Sequence, residues 1–170
     1  MAFRWAHEAD PQAILLFNDA DAEEMNTKSD ALSEYVKGML ARGVPIHGVG
    51  MQMHWGVRKP ATPRNPGTLA ANMKRLGDLG LDVYITEFEL PVQKPATRES
   101  LAAQAREYRE VVEVCLAAPN CKSIITWGVY DGDSNAQDPR FTNYDAPTLF
   151  DKSFRPKPAY EAIMDALRRR

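Results

Sequence analysis

The chain has 170 residues, 44% of them hydrophobic and 26% charged, which is enough for one domain with its own core and ordinary for a globular protein. A net charge of -2, a pI near 5.9 and the lack of a basic stripe argue against a nucleic-acid binder, and no apolar run reaches the roughly 20 residues of a membrane span. Three His and two Cys without metal-ligand spacing give no reason to expect a zinc site or another cofactor, and the Met1-Ala2-Phe3-Arg4-Trp5 start lacks the apolar centre of a signal peptide.

Residues 2–9 read as the last turns of a helix, closed by Asp10-Pro11. Residues 13–17 are a short apolar strand ending at Asn18 and Asp19. Leu32, Tyr35, Val36, Met39 and Leu40 then recur at helical spacing over residues 28–42, with Gly43 placed as a C-cap glycine. A second strand is predicted over residues 46–53, interrupted by Gly48 and Gly50 and leading to Gln52 and His54. The proline-rich residues 59–66 form a connection, and residues 67–79 are amphipathic through Leu69, Met73, Leu76 and Leu79.

The most informative stretch comes next, Leu81-Asp82-Val83-Tyr84-Ile85-Thr86-Glu87-Phe88-Glu89-Leu90. Its β-branched and aromatic residues predict a buried strand, and a strand interior cannot cheaply hold an unpaired charge. Glu87 therefore belongs at the strand's C-terminal mouth, where a carboxylate either serves chemistry or pairs with a neighbouring cation. Residues 98–117 give the longest helix, with Leu101, Ala105, Tyr108, Val111, Val112 and Leu116 on one face. Residues 123–129 read as a fourth strand leading to Tyr130 and Asp131. A polar loop over residues 131–144 and a short helix over residues 158–167 complete the chain, with the arginine run 168–170 a frayed, solvated end.

Apolar strands alternating with amphipathic helices specify a parallel sheet with right-handed crossovers. Four such units of about 40 residues fill the chain, whereas an eight-stranded barrel needs about 250 residues. The expectation is therefore half of a (β/α)8 barrel or an open four-stranded sheet. Asn18 and Asp19, Gln52 and His54, Glu87, and Trp127 with Asp131 all fall at the same end of their strands and mark that face as a site. Cys115 and Cys121 fall near a helix end and just before the last strand, as a disulfide or as two separate buried thiols; a bridge would imply an oxidising compartment.

Several ordered segments resemble the C-terminal half of a glycoside hydrolase family 10 xylanase. They are Ala9-Asp10-Pro11, Phe17-Asn18-Asp19, Gly43-Val44-Pro45-Ile46-His47-Gly48-Val49-Gly50-Met51-Gln52-Met53-His54, Ile85-Thr86-Glu87-Phe88-Glu89, Trp127-Gly128-Val129-Tyr130-Asp131, Leu149-Phe150-Asp151 and Lys157-Pro158-Ala159-Tyr160. The resemblance implies a TIM barrel, here its strands five to eight as one domain over residues 1–170, that hydrolyses β-1,4-xylan with retention. Retention uses two carboxyl groups about 5–5.5 Å apart. By resemblance Glu87 is the nucleophile, His54 orients it, and Gln52, Trp127 and Asn18 meet the substrate. For His54 and Trp127 the alternative is core packing. Cys115 and Cys121 match a disulfide common in the family, and the family is typically secreted.

The departures from the family pattern matter as much. The family's acid/base Glu and the sugar-binding Lys, Asn, His and Trp of its first three strands precede the part represented here. Glu8 is no substitute, since it lies in the helix before the first strand. Ala20 stands in place of a Tyr, Asp21 in place of an Asn, and Asn135 where a second Trp covers the sugar. Half a barrel would leave two strand edges and one apolar face open, which a homodimer with C2 symmetry would close. In that dimer the fourth-strand slot holds the strand ending at Trp127, whose nearest carboxylate, Asp131, comes several residues too late. The expectation is weak or absent xylan hydrolysis, with a non-catalytic xylo-oligosaccharide-binding chain or a purely structural half-barrel as the alternatives.

Overall fold

The computed structural model of the chain describes residues 1–55, 65–134 and 142–169. In order these form α1 (Ala2–Ala9), β1 (Leu16–Asp19), α2 (Thr27–Ala41), β2 (Gly48–Met51), α3 (Pro66–Asp78), β3 (Asp82–Phe88), β4 (Val92–Gln93), α4 (Arg98–Ala117), β5 (Cys121–Thr126), β6 (Tyr144–Asp145) and α5 (Pro158–Arg168). β1, β2, β3 and β5 make one sheet in that order, every pairing parallel. Each of these strands is followed by a helix, so the predicted succession of four βα units holds. β4 and β6 form a separate antiparallel ribbon that alternation of apolar strands and helices does not foretell.

Helix starts follow from local chemistry. Asn26 and Ser29 exchange side-chain and backbone hydrogen bonds in a capping box at α2, and Thr97 with Ser100 does the same at α4. Asn65 caps α3, whose first residue is Pro66, and Pro158 opens α5. Gly43 and Gly80 follow α2 and α3 at φ 61° and 79°, the left-handed conformation that ends a helix without a Cβ penalty.

Strand limits differ from the sequence expectation at three places. β1 begins at Leu16, because Ala13 N–H is spent in a turn on Asp10 O and Ile14 is 59% exposed. β2 stops at Met51, since Met53 turns to φ 65°. β5 spans 121–126 rather than 123–129, and Gly128 at φ 83° takes the chain out of extension just after Trp127.

The core lies between the sheet and its helices. Val49, Met51, Val83, Ile85 and Phe88 pack on Val36, Met39, Leu69, Met73, Leu76, Tyr108 and Val111. Each fully buried aliphatic or aromatic side chain here contributes about 1.5–3 kcal/mol of transfer free energy. Cys115 at the end of α4 and Cys121 at the start of β5 are joined by a disulfide, with Cα atoms 5.3 Å apart.

Strand alternation sends the intervening residues to the other face. There Leu16 lies beside Gly48, and Asn18 and Thr86 lie beside Gly50. Ile125, alternating with the core-packed Ile124, is 53% exposed. This face, expected to be apolar, is instead a mixture of Leu16 and Ile125 with Asn18, Thr86 and two glycines.

Candidate active site

Parallel pairing brings the C-terminal ends of all four strands to one rim. Glu87 lies on β3 within a break in its register against β5, between the pairings Ile85 with Ile124 and Phe88 with Thr126. A bulge of this kind lets two successive residues serve one face. Thr86 and Glu87 accordingly both reach Asn18: Thr86 Oγ1 donates to Asn18 Oδ1 at 2.8 Å, and Asn18 Nδ2 donates to Glu87 Oε1 at 3.3 Å.

His54 stands between two carboxylates. Its Nε2 is 2.8 Å from Glu87 Oε2 and its Nδ1 is 2.7 Å from Glu89 Oε1. An imidazole donates from both nitrogens only when protonated. Burial alone would lower its pKa, but the hydrogen bonds to Glu89 and Glu87 outweigh that and hold it above the ordinary histidine value. Glu89 is 1% exposed, whereas the His54 and Glu87 side chains keep 14% and 18% of their surface open. Glu89 thus anchors the ring from behind and leaves the Glu87 side toward solvent.

The backbone that delivers His54 is held from two sides. Glu89 N–H donates to Met53 O, and Trp55 N–H donates to Glu89 O, so the β2 end stays paired with the end of β3. Met53 N–H donates to Glu23 Oε1 at 3.0 Å, which fixes the positive φ just before the histidine. Burial pushes the Glu23 carboxyl pKa up against those backbone hydrogen bonds.

Trp127 follows β5 at the same rim, its N–H bound to Phe88 O. Its ring meets His54 edge-on at 5.6 Å and 84°, and it is 43% exposed. It presents surface rather than filling the core. Gln52 lies half-buried between β2 and His54. Glu87, His54, Trp127 and Asn18 are therefore joined by direct contacts, with Gln52 two residues before His54. Asn135 lies outside the described residues, as does most of the proline-rich connection at 59–66.

Asp131 does not join this group. It is buried against Lys157, whose Nζ is 3.0 and 3.1 Å from its two carboxylate oxygens and also donates to Ala146 O and Thr148 O. Thr148 N–H and Oγ1 donate to the same carboxylate. Burial lowers the Lys157 pKa, and the Asp131 charge opposes that shift.

The sequence points to Glu87 and His54 but to neither Glu89 nor Glu23 as a partner. Glu89 was signalled by its two-residue spacing from Glu87. Glu23 had no local signal, because its role depends on a contact 30 residues away. Among the described residues, no group of three or more His, Cys, Asp or Glu has a metal-holding arrangement. Among them, too, no helix is long and apolar enough to cross a membrane.

The sequence model for glycosyl hydrolase family 10 matches residues 1–166. Endo-1,4-beta-xylanase B of Thermotoga neapolitana is 38% identical over 168 residues, covering 98% of this chain and 47% of that protein. The crystal structure of native xylanase 10B from Thermotoga maritima superposes with a TM-score of 0.92 at 38% identity, over 99% of this chain and 51% of that one. Xylanase 10B from Thermotoga petrophila RKU-1, solved with xylobiose, gives a TM-score of 0.92 at 37% identity, over 99% and 50%. The chain thus spans about half the length of these relatives.

Proposed function

The chain belongs to glycosyl hydrolase family 10, and from that premise we propose that it carries the nucleophile side of a retaining centre for β-1,4-xylan. The observation that carries this reading is Glu87, partly open at the rim and held by His54, which Glu89 fixes in turn. A retaining nucleophile has to be ionised and aimed. The imidazole hydrogen bond supports the aim. In the first step a Glu87 oxygen forms a bond to the anomeric carbon as the glycosidic C–O bond breaks. The leaving oxygen then needs a proton from a second carboxyl group, and water, giving up a proton to that same group, later releases the sugar from Glu87. Trp127 offers an indole face to the apolar side of a pyranose, and Gln52 a carboxamide to its hydroxyls. Binding of xylobiose by the Thermotoga petrophila relative supports the substrate class.

The proton donor is what these residues do not supply. Glu89 is buried behind His54, and Asp131 is consumed by Lys157 and Thr148. We therefore propose that the 170 residues alone hydrolyse xylan weakly or not at all, and that the second carboxyl group comes from a further set of four strands. The open edges of β1 and β5 and the exposed Ile125 support a second copy of the chain as one such set, in a C2 homodimer. The Cys115–Cys121 disulfide supports a secreted, oxidising setting.

The test compares xylan with an aryl β-xylobioside whose leaving group departs without a proton, with solution mass measured on the same sample. The expected result is turnover of the aryl substrate, little or none of xylan, and a mass near twice 19.0 kDa. Xylan cleavage at ordinary enzyme rates would remove the incomplete-centre reading. Xylo-oligosaccharide binding without any turnover would favour a binding role, for which the exposed Trp127 is the specific support. Neither binding nor turnover would leave a structural unit, and a monomer would remove the homodimer.

A further inference from the structure

Asn18 is separated from Glu87 by a whole strand, because β2 lies between β1 and β3. It reaches across only because position 50 has no side chain. A β-carbon built on Gly50 would overlap Asn18 Oδ1 and come within 2.9 Å of Asn18 Cγ and 3.1 Å of Thr86 Cγ2. Gly50 is in extended backbone of β2, opposite Asn18 on one side and Tyr84 on the other, so no positive φ calls for glycine there. What the position requires is close passage of another side chain.

The orientation of the carboxamide is settled by Glu87, whose carboxylate oxygen only accepts and so faces the Asn18 NH2 group, with Nδ2 3.3 Å from Oε1. A threonine hydroxyl can donate or accept, and Thr86 Oγ1 donates to the remaining Asn18 Oδ1 at 2.8 Å. His54 holds the other carboxylate oxygen, Oε2. Glu87 is thereby pinned through both oxygens, from opposite sides of the rim.

We propose that Asn18 is a positioning residue for Glu87, seated by Thr86 and admitted by the missing side chain of Gly50, rather than a group that primarily binds sugar. This rests on the reading of Glu87 as nucleophile. A donor on the second oxygen limits rotation of the carboxylate about its last bond. It also restricts which oxygen is aimed at the substrate, since His54 and Asn18 claim different ones.

Two measurements on the full chain test this separately from the functional reading. In the first, the Asn18 side-chain amide resonances are followed through a pH titration by NMR. They are expected to show a carboxylate step that disappears in Glu87→Gln and is strongly reduced in Thr86→Val and Gly50→Ala. A step unchanged in Glu87→Gln would come from a neighbour such as Asp19, and that result, or no step at all in the wild type, would overturn the proposal. Thr86→Val leaves the backbone and volume nearly unchanged, so the result does not depend on Gly50→Ala folding.

In the second measurement, Asn18→Ala is compared with the wild type on the aryl β-xylobioside. A hydrogen bond of this kind predicts a fall of about tenfold in the rate of the aryl burst, the step in which Glu87 attacks, with little change in the substrate concentration that half-saturates it. A burst rate preserved at saturation but reached only at higher substrate concentration would make Asn18 a sugar ligand and would overturn the proposal. If the wild type shows no aryl burst, the nucleophile reading fails, while the NMR titration still decides whether Asn18 is held on Glu87.

Discussion

Two charged clusters occupy neighbouring parts of this molecule and are built to opposite ends. At the rim, one imidazole serves two carboxylates, and two of the three side chains remain partly open. Under the start of α5, one ammonium serves one carboxylate and two carbonyls, with Lys157 and Asp131 side chains 6% and 5% exposed. In the second cluster every strong donor direction of Lys157 is taken, so nothing is left for a ligand. In the first, Glu87 keeps solvent-facing surface while its bonds to His54 and Asn18 hold it in place. A carboxylate near a strand end is therefore not a catalytic candidate by position alone. Asp131 and Glu87 differ in what has already claimed them.

Breaking the sealed pair should have the largest effect. Lys157→Met removes one partner of a buried ion pair, which costs about 3–5 kcal/mol, measurable by urea unfolding. Changing both partners, with Asp131→Leu added, should return much of that loss. A single variant within about 1 kcal/mol of wild type would show that water reaches the pair and would end the contrast with the rim.

Next in size is Glu89→Gln, which removes one of the two anions on His54. We expect a loss of about 1–2 kcal/mol and a lower His54 titration midpoint, read by NMR. The sign follows from the raised folded pKa: protonated His54 gains its partners only in the folded state. The wild-type advantage over Glu89→Gln should be full below the ordinary histidine value of 6.5, while the carboxylates remain ionised. It should fade as the pH rises through the folded value. Parallel stability curves across that range would mean that His54 is held neutral.

Trp127→Ala tests the open side of the rim. With 43% of the residue exposed, its loss should change stability by no more than about 0.5 kcal/mol. It should weaken xylo-oligosaccharide binding by roughly three- to tenfold, measured by calorimetry. A large stability loss with unchanged binding would reverse the assignment. The smallest effect belongs to the exposed pair of Lys74 and Asp78 on α3, where Lys74→Ala should cost at most about 0.5 kcal/mol and less in high salt. It calibrates the other variants, since the same two charge types meet there in solvent.

Much of the framework was legible in the sequence because it depends on local rules. The periods of 2 and 3.6 and the glycines after α2 and α3 give four βα units. Parallel pairing then puts Asn18, Gln52, His54, Glu87 and Trp127 at one end. The limits of the strands were less legible, since the turn at Met53, fixed by the distant Glu23, rather than a propensity ends β2 at Met51. The β4–β6 ribbon was missed for the same reason: two residues of each strand carry no periodic signal, and each is defined only by the other.

The sequence by itself determined the alternation of strands and helices, the rim at which the polar residues gather and the segments that place the chain in its family. All of these depend on residues a few positions apart or on ordered motifs. Only the tertiary structure decided which carboxylate remains available. Glu89 lies two residues from Glu87 yet is shut behind His54, and Asp131 is shut under α5 by a lysine 26 residues away. It also decided that Gly50 gives passage to Asn18, because the space a β-carbon would fill is defined by side chains from two other strands. Burial and long-range hydrogen bonds are properties of the assembled fold, and they assign the roles of otherwise similar residues.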